Sequence, residues 1–146
     1  MKAYLLFLVL AGCCCKSYAQ ADLLLSPKEK VVARMHSAYK SWEFNKQSEE
    51  FTDGVSYDRY EYSPKIQSAG DLTILFDKNE ICISVMYYNN KAKLSEIVDN
   101  QHYILSGKNT WADRKTGSTI QATLKENPGS PIATLEFIHL GYKPAL

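Results

Sequence analysis

Cysteine is nearly absent from this chain beyond residue 15: Cys13, Cys14 and Cys15 stand together near the start, and Cys82 is alone thereafter. A segment with one cysteine closes no internal disulfide and supplies neither a CxxC redox pair nor a cysteine-rich zinc site. A surplus of one charge is missing too, since 17 Lys and Arg stand against 16 Asp and Glu. Neutralising phosphates needs a clustered basic excess, so nucleic acid is not an expected partner. No apolar run reaches the about 20 residues that a membrane-spanning helix requires. Gly/Ser linkers and low-complexity tracts are also lacking, which argues for one uninterrupted domain.

What is present begins with an address. Lys2 precedes an apolar run from Ala3 to Gly12, the charge asymmetry of an export signal. Ser17-Tyr18-Ala19 then offers small residues three and one positions before a cut at Gln20, which makes residues 1–19 a signal peptide and the product a periplasmic or secreted protein. Alternatively, Leu10-Ala11-Gly12-Cys13 reads as a bacterial lipobox, with a lipoprotein signal over 1–12 and Cys13 acylated. That product is held at a membrane by its lipid alone. Residues 20–146 are expected to form a single α+β domain of modest core. Without Lys2 and Lys16, 15 basic side chains face 16 acidic ones.

Within that domain the period of the apolar residues changes several times. Ser26 and Glu29 have the spacing of a capping box around Pro27, and Val31, Val32, Met35, Tyr39 and Trp42 follow at intervals of three and four. This predicts a first helix over about 27–48. Beyond Asp53-Gly54 the period falls to two. A weakly alternating strand spans VSYDRYEY, and a hairpin follows in which Leu72, Ile74 and Phe76 run out, Asp77-Lys78-Asn79-Glu80 turns, and Ile81, Ile83, Val85 and Tyr87 run back. Asn89-Asn90 caps a shorter helix that carries Leu94, Ile97 and Val98 and ends near Gln101. Strand-like segments resume in HYILSG with TWADRK, in GSTIQATLKEN, and in PIATLEFIHL after the turn Asn127-Pro128-Gly129. The order α-β-β-β-α-β-β-β suggests a structural duplication. Short turns imply antiparallel pairing, hence a single antiparallel sheet with two helices on one face and the other face wet.

Chemistry-bearing motifs do not emerge. Gly107-Lys108 has no glycine five positions earlier and is followed by Asn109, so it is not a phosphate loop, and Gly117-Ser118 lacks the flanks of a nucleophile elbow. His36, His102 and His139 are each alone in their segments and read as packing or surface residues, because zinc ligands usually come in closely spaced pairs. Glu49, Glu50 and Asp53 read as a solvated, acidic end of the first helix. Cys82 reads as a small buried hydrophobe. No catalytic set, metal site or cofactor is assigned.

The excess that remains is aromatic. Tyr57, Tyr60 and Tyr62 share one strand, and Tyr87 and Tyr88 must point to opposite faces. If Ile81, Ile83, Val85 and Tyr87 face the helices, then Cys82, Ser84, Met86 and Tyr88 face away, beside Thr119, Gln121, Thr123 and Lys125. The weak alternation of the first strand leaves the side of Tyr60 and Tyr62 open. The expectation is a small exported, non-enzymatic binding or accessory domain, monomeric, that meets a protein or glycan through Tyr60, Tyr62, Met86 and Tyr88 on an open sheet face. The alternatives are an envelope hydrolase with a groove hidden from sequence, and an inhibitor-like protein that binds an envelope enzyme.

Overall fold

The computed structural model describes residues 20–66, 69–99 and 102–145. Both export-signal readings, Cys13 included, and the expected helix end near Gln101 lie outside the described residues. A 3-10 turn over Gln20–Leu23 leads into helix α1 (Lys28–Ser37), followed by strands β1 (Trp42–Thr52), β2 (Val55–Pro64), β3 (Asp71–Phe76) and β4 (Cys82–Asn89). Helix α2 (Lys91–Asp99) opens a second block of β5 (Tyr103–Gly107), β6 (Thr110–Asp113), β7 (Ile120–Glu126) and β8 (Ala133–His139). The eight strands form one sheet in the order β1-β2-β3-β4-β8-β7-β6-β5, antiparallel throughout. Val31 and Met35 of α1 and Leu94 and Val98 of α2 enter the same buried cluster as Leu72, Ile74, Val85, Leu135 and Phe137. Both helices therefore lie on one face of an α+β domain. The expected alternation of helix and strands holds, with each strand block four strands long.

Helix α1 is shorter than its periodicity predicts. Val31 and Met35 are buried as expected, whereas Tyr39 and Trp42 pack against the core from beyond the helix end. Residues 42–52 are strand because a hairpin claims them. Asp53 and Gly54 both take positive φ, 52° and 81°, the conformation of a two-residue turn whose twist matches the flanking strands. That turn sets Thr52 opposite Val55 and Glu50 opposite Tyr57. The helix-favouring run of Glu, Lys and Gln in this segment is a weak preference, outweighed by the pairing. Glu49, Glu50 and Asp53 thus do not end a helix. Glu50 accepts a hydrogen bond from Arg59 at 2.7 Å, Glu49 accepts one from Ser56, and Asp53 forms the turn.

The capping box at the start of α1 does not form either: Pro27 occupies the cap and no side chain bonds to the helix end. The preceding segment is drawn instead toward β4. Leu25 N–H donates to Cys82 O at 2.8 Å and Cys82 N–H to Ser26 O at 3.0 Å. The cap of α2 is the expected one, with Asn90 Oδ1 accepting from Lys93 N–H at 3.0 Å. At Asn127-Pro128-Gly129 the glycine has φ 79°, as a turn with Pro followed by Gly requires.

The β3–β4 turn holds a buried carboxylate. Asp77 Oδ1 accepts from the N–H groups of Asn79 and Ile81, both at 3.0 Å. Its Oδ2 accepts from Tyr142 O–H at 2.6 Å and Ala145 N–H at 3.2 Å. One side chain therefore shapes the turn and fastens the C-terminal segment to it. Burial pushes the Asp77 pKa up, but these hydrogen bonds, that of Tyr142 foremost, hold it below its ordinary value. Asp77→Ala is expected to lower the unfolding free energy by about 2–3 kcal/mol in urea titrations at neutral pH. Because the folded-state pKa is depressed, that difference is full above about pH 4 and shrinks as pH falls through the folded-state value. Matched urea titrations of the two proteins down to pH 2.5 check it.

Candidate functional site

The sheet face away from the helices is laid out by register. One rung runs Arg59, Leu75, Ser84, Ile138, Gln121 from β2 to β7; the next runs Glu61, Thr73, Met86, Glu136, Thr123; a third runs Asp71, Tyr88, Thr134, Lys125 from β3 to β7. Ser84, Met86, Tyr88, Gln121, Thr123 and Lys125 thus share this face, as the alternation of β4 and β7 predicts. No described helix covers it. Nonetheless Thr73 is only 2% exposed and Ser84 4%; Thr73 stands between the longer side chains of Glu61 and Met86, and Ser84 bonds to that of Glu136.

Those longer side chains form two ion-paired flanks around a neutral centre. On β2, Arg59 donates Nε to Glu61 at 2.9 Å and a terminal N–H to Glu50 at 2.7 Å. Burial works against the Arg59 charge, but the two carboxylates outweigh it and raise its pKa above the ordinary value. On β7 and β8, Lys125 donates to Glu136 Oε2 at 2.5 Å while Ser84 Oγ donates to Glu136 Oε1 at 3.1 Å. Between them lie Met86 and Tyr88, half-buried, with the Tyr88 hydroxyl 3.6 Å from the Met86 sulfur. An arrangement of this kind presents an apolar, polarizable centre inside a rim of both charge signs.

Tyr60 and Tyr62 are on the other face. Their pairing with Ile74 and Leu72 turns them toward the helices, and Tyr62 is 4% exposed. Phe44 of β1 stacks against both at 5.7 Å between ring centroids, and Tyr60 meets Phe76 edge-on at 5.3 Å. Desolvation, with a smaller effect from Tyr60, pushes the Tyr62 hydroxyl up to about 12. Of the four tyrosine and methionine positions singled out in the sequence, the structure joins Met86 with Tyr88 and separates them from Tyr60 and Tyr62. A shallow cleft of about 670 Å³ does open on the helix side, between Lys28 and Val32 of α1 and Tyr60, Asn79 and Glu80. Within it Lys28 pairs with both Asp58 and Glu80.

Cys82 also departs from the face assigned by alternation. Phe76 pairs with Cys82 but Leu75 pairs with Ser84, so Ile83 is an extra residue and the side-chain parity reverses there. Cys82 enters the core and Ile83 is left half-exposed. Burial pushes the thiol up to about 12, which makes it an inert packing group. Among the described residues, no group of three or more His, Cys, Asp and Glu side chains is placed to hold a metal ion.

Sequence reasoning missed Arg59, Glu61 and Glu136. Arg59 and Glu61 alternate with Tyr60 and Tyr62, but only the register with β3 shows which set faces inward. No protein-family model matches this chain, and no curated protein or solved structure matches it either.

Two outcomes follow from these placements. Tyr62→Ala is expected to cost about 3 kcal/mol of stability and Tyr88→Ala less than about 1 kcal/mol, read from urea midpoints at constant slope. At pH 8 the Cys82 thiol is expected to react with a disulfide reagent at least about 100-fold more slowly in folded than in denatured protein, measured by thiol titration with and without guanidinium.

Proposed function

We propose that this protein is a small exported binding or accessory domain, non-enzymatic, whose helix-free sheet face captures a protein partner in the bacterial envelope or outside the cell. The observation that carries this is the uncovered face itself: Met86 and Tyr88 half-buried at its centre, Arg59 with Glu50 and Glu61 on one flank, Lys125 with Glu136 on the other. Tyrosine and arginine are the side chains that anchor protein interfaces, and a rim of both signs selects a partner by charge register. A preformed sheet also loses little backbone entropy on binding, because the pairing already fixes its main chain. Export rests on Lys2, the apolar run behind it and Ser17-Tyr18-Ala19, with acylation at Cys13 as the membrane-anchored form. No described helix is long and apolar enough to cross a membrane.

The test is site-specific photo-cross-linking in the producing cells, with the probe at Thr123 on the helix-free face or at Lys93 on the exposed side of α2. Thr123 is expected to give a discrete heavier adduct and Lys93 none. Tyr88→Ala combined with Lys125→Glu is expected to reduce that adduct at least about fivefold without shifting the melting temperature of the purified protein by more than a few degrees. Equal adducts from both positions, or none from Thr123, would remove this reading.

A further inference from the structure

Strand β1 is an outer strand of 11 residues, paired on one side only among the described residues. The outer strand at the opposite end, β5, has 5. Outer strands of natural sheets are normally short or otherwise blunted, because their free N–H and C=O groups recruit other strands. β1 is long, and it exposes two phenylalanines: Phe44 at 48% and Phe51 at 73%.

Which backbone groups are free follows from the turn. In a two-residue hairpin the residues flanking the turn exchange hydrogen bonds, and the strand alternates from there. Thr52, Glu50, Ser48 and Lys46 are therefore bonded to β2, and Phe51, Glu49 and Gln47 aim their N–H and C=O groups at the open edge. The side chains divide as well. Phe44 faces the helix side with Tyr60 and Tyr62, and so do Gln47, Glu49 and Phe51, opposite Tyr60, Asp58 and Ser56. Lys46, Ser48 and Glu50 face the helix-free side, and the bulge at Asn45, between Phe44 and Lys46, produces this division.

We propose that a second copy of this chain adds its β1 antiparallel to this β1 about a twofold axis through Ser48, forming a homodimer with one continuous sheet. In that register Gln47 lies opposite Glu49 of the second copy, and both use edge-facing backbone groups, so the ladder hydrogen bonds form. Lys46 lies opposite Glu50 of the second copy on the helix-free side, an acid–base pair that the axis repeats. Glu50 presents Oε2 to Arg59, and its Oε1 lies 3.5 Å from the Thr52 hydroxyl along the same strand. Asn45 lies opposite Phe51 of the second copy. As Asn45 is the bulged residue, the side chain Phe51 meets on its own face is Phe44. Both exposed phenylalanines are covered at once.

Neighbouring registers lose this fit. A slide of two residues one way sets Glu49 against its own copy, and the other way sets Lys46 against Ser48. Charge on an outer strand usually repels another strand; here its order along β1 is self-complementary under a twofold, as a closed isologous contact requires. The sequence alone leads to a monomer, and it places residues 42–48 in a helix, where no edge exists. The proposal is independent of the partner-binding face, since the twofold leaves that face exposed on the same side of both copies.

The experiment is sedimentation velocity on the natively processed protein from about 1 to 100 μM, with three variants. The expected result is a monomer–dimer equilibrium with no larger species. Lys46→Glu is expected to weaken it about tenfold or more by placing two like-charge pairs at the contact, and Lys46→Glu with Glu50→Lys to restore it. Gln47→Pro removes an N–H that β2 does not use and is expected to abolish the dimer, with circular dichroism showing the fold retained. A monomer at every concentration, a dimer indifferent to Lys46→Glu and Gln47→Pro, or open-ended assembly would overturn the proposal.

Discussion

The pairing of β4 with β8 is the constraint on which the rest of the molecule depends. Each half of the chain is a helix followed by a four-stranded meander, and the two meanders join into one sheet where these last strands run antiparallel, Val85 opposite Phe137 and Tyr87 opposite Leu135. All four side chains are buried, and burying a side chain of this size is worth about 1.5–3 kcal/mol. Without that seam, each helix would cover a four-stranded sheet too narrow to exclude water from its apolar side. With it, Val31 and Met35 from the first half and Leu94 and Val98 from the second close over one core. The contact joins residues about fifty positions apart, so closing it costs more chain entropy than closing any of the local hairpins.

The aromatic residues, which look from the sequence like a recognition surface, largely serve that core. Phe44 touches Tyr60 and Tyr62, and Tyr60 touches Phe76; Trp42 touches Tyr87, which touches Phe137, which touches Tyr103. These edge-on and tilted contacts run from β1 to β5 beneath the helices. Tyrosine suits the position because its ring packs like phenylalanine while its hydroxyl can reach a polar margin. Tyr57, opposite Glu50, and Tyr88, beside Met86, are placed by parity on the other side, and Met86 with Tyr88 defines the centre of the candidate surface.

Two bulges set where the side chains of β1 and β4 end up. One, at Asn45, lets Phe44 stay on the helix side while the charged residues beyond it alternate in the opposite phase. The other, at Ile83, brings Cys82 into the core and returns Val85 and Tyr87 to the inner face beside Ile74 and Leu72. A single extra residue reverses every side chain on one side of it, so these two positions decide which residues of β1 and β4 reach each face.

The sequence by itself determined the hairpin from Leu72 to Tyr87, the Asn90 cap of α2, the turn at Pro128-Gly129 and the alternation of β7 and β8. These are local patterns fixed by short-range period or turn chemistry, although the bulge at Ile83 within the hairpin is not legible in them. Asp53-Gly54 was equally informative as a hairpin turn, but the helix-favouring residues on its N-terminal side concealed the strand leading into it. Only the tertiary structure decided that residues 42–52 are strand, that Tyr60 and Tyr62 face inward, and that Cys82, already legible as a small buried hydrophobe, is buried on the helix side of the sheet. It alone also joined Arg59, Glu136 and Lys125 around Met86 and Tyr88. The physical reason is common to all of these: a strand has no face of its own until a neighbour fixes its register, and that neighbour lies far away in the chain.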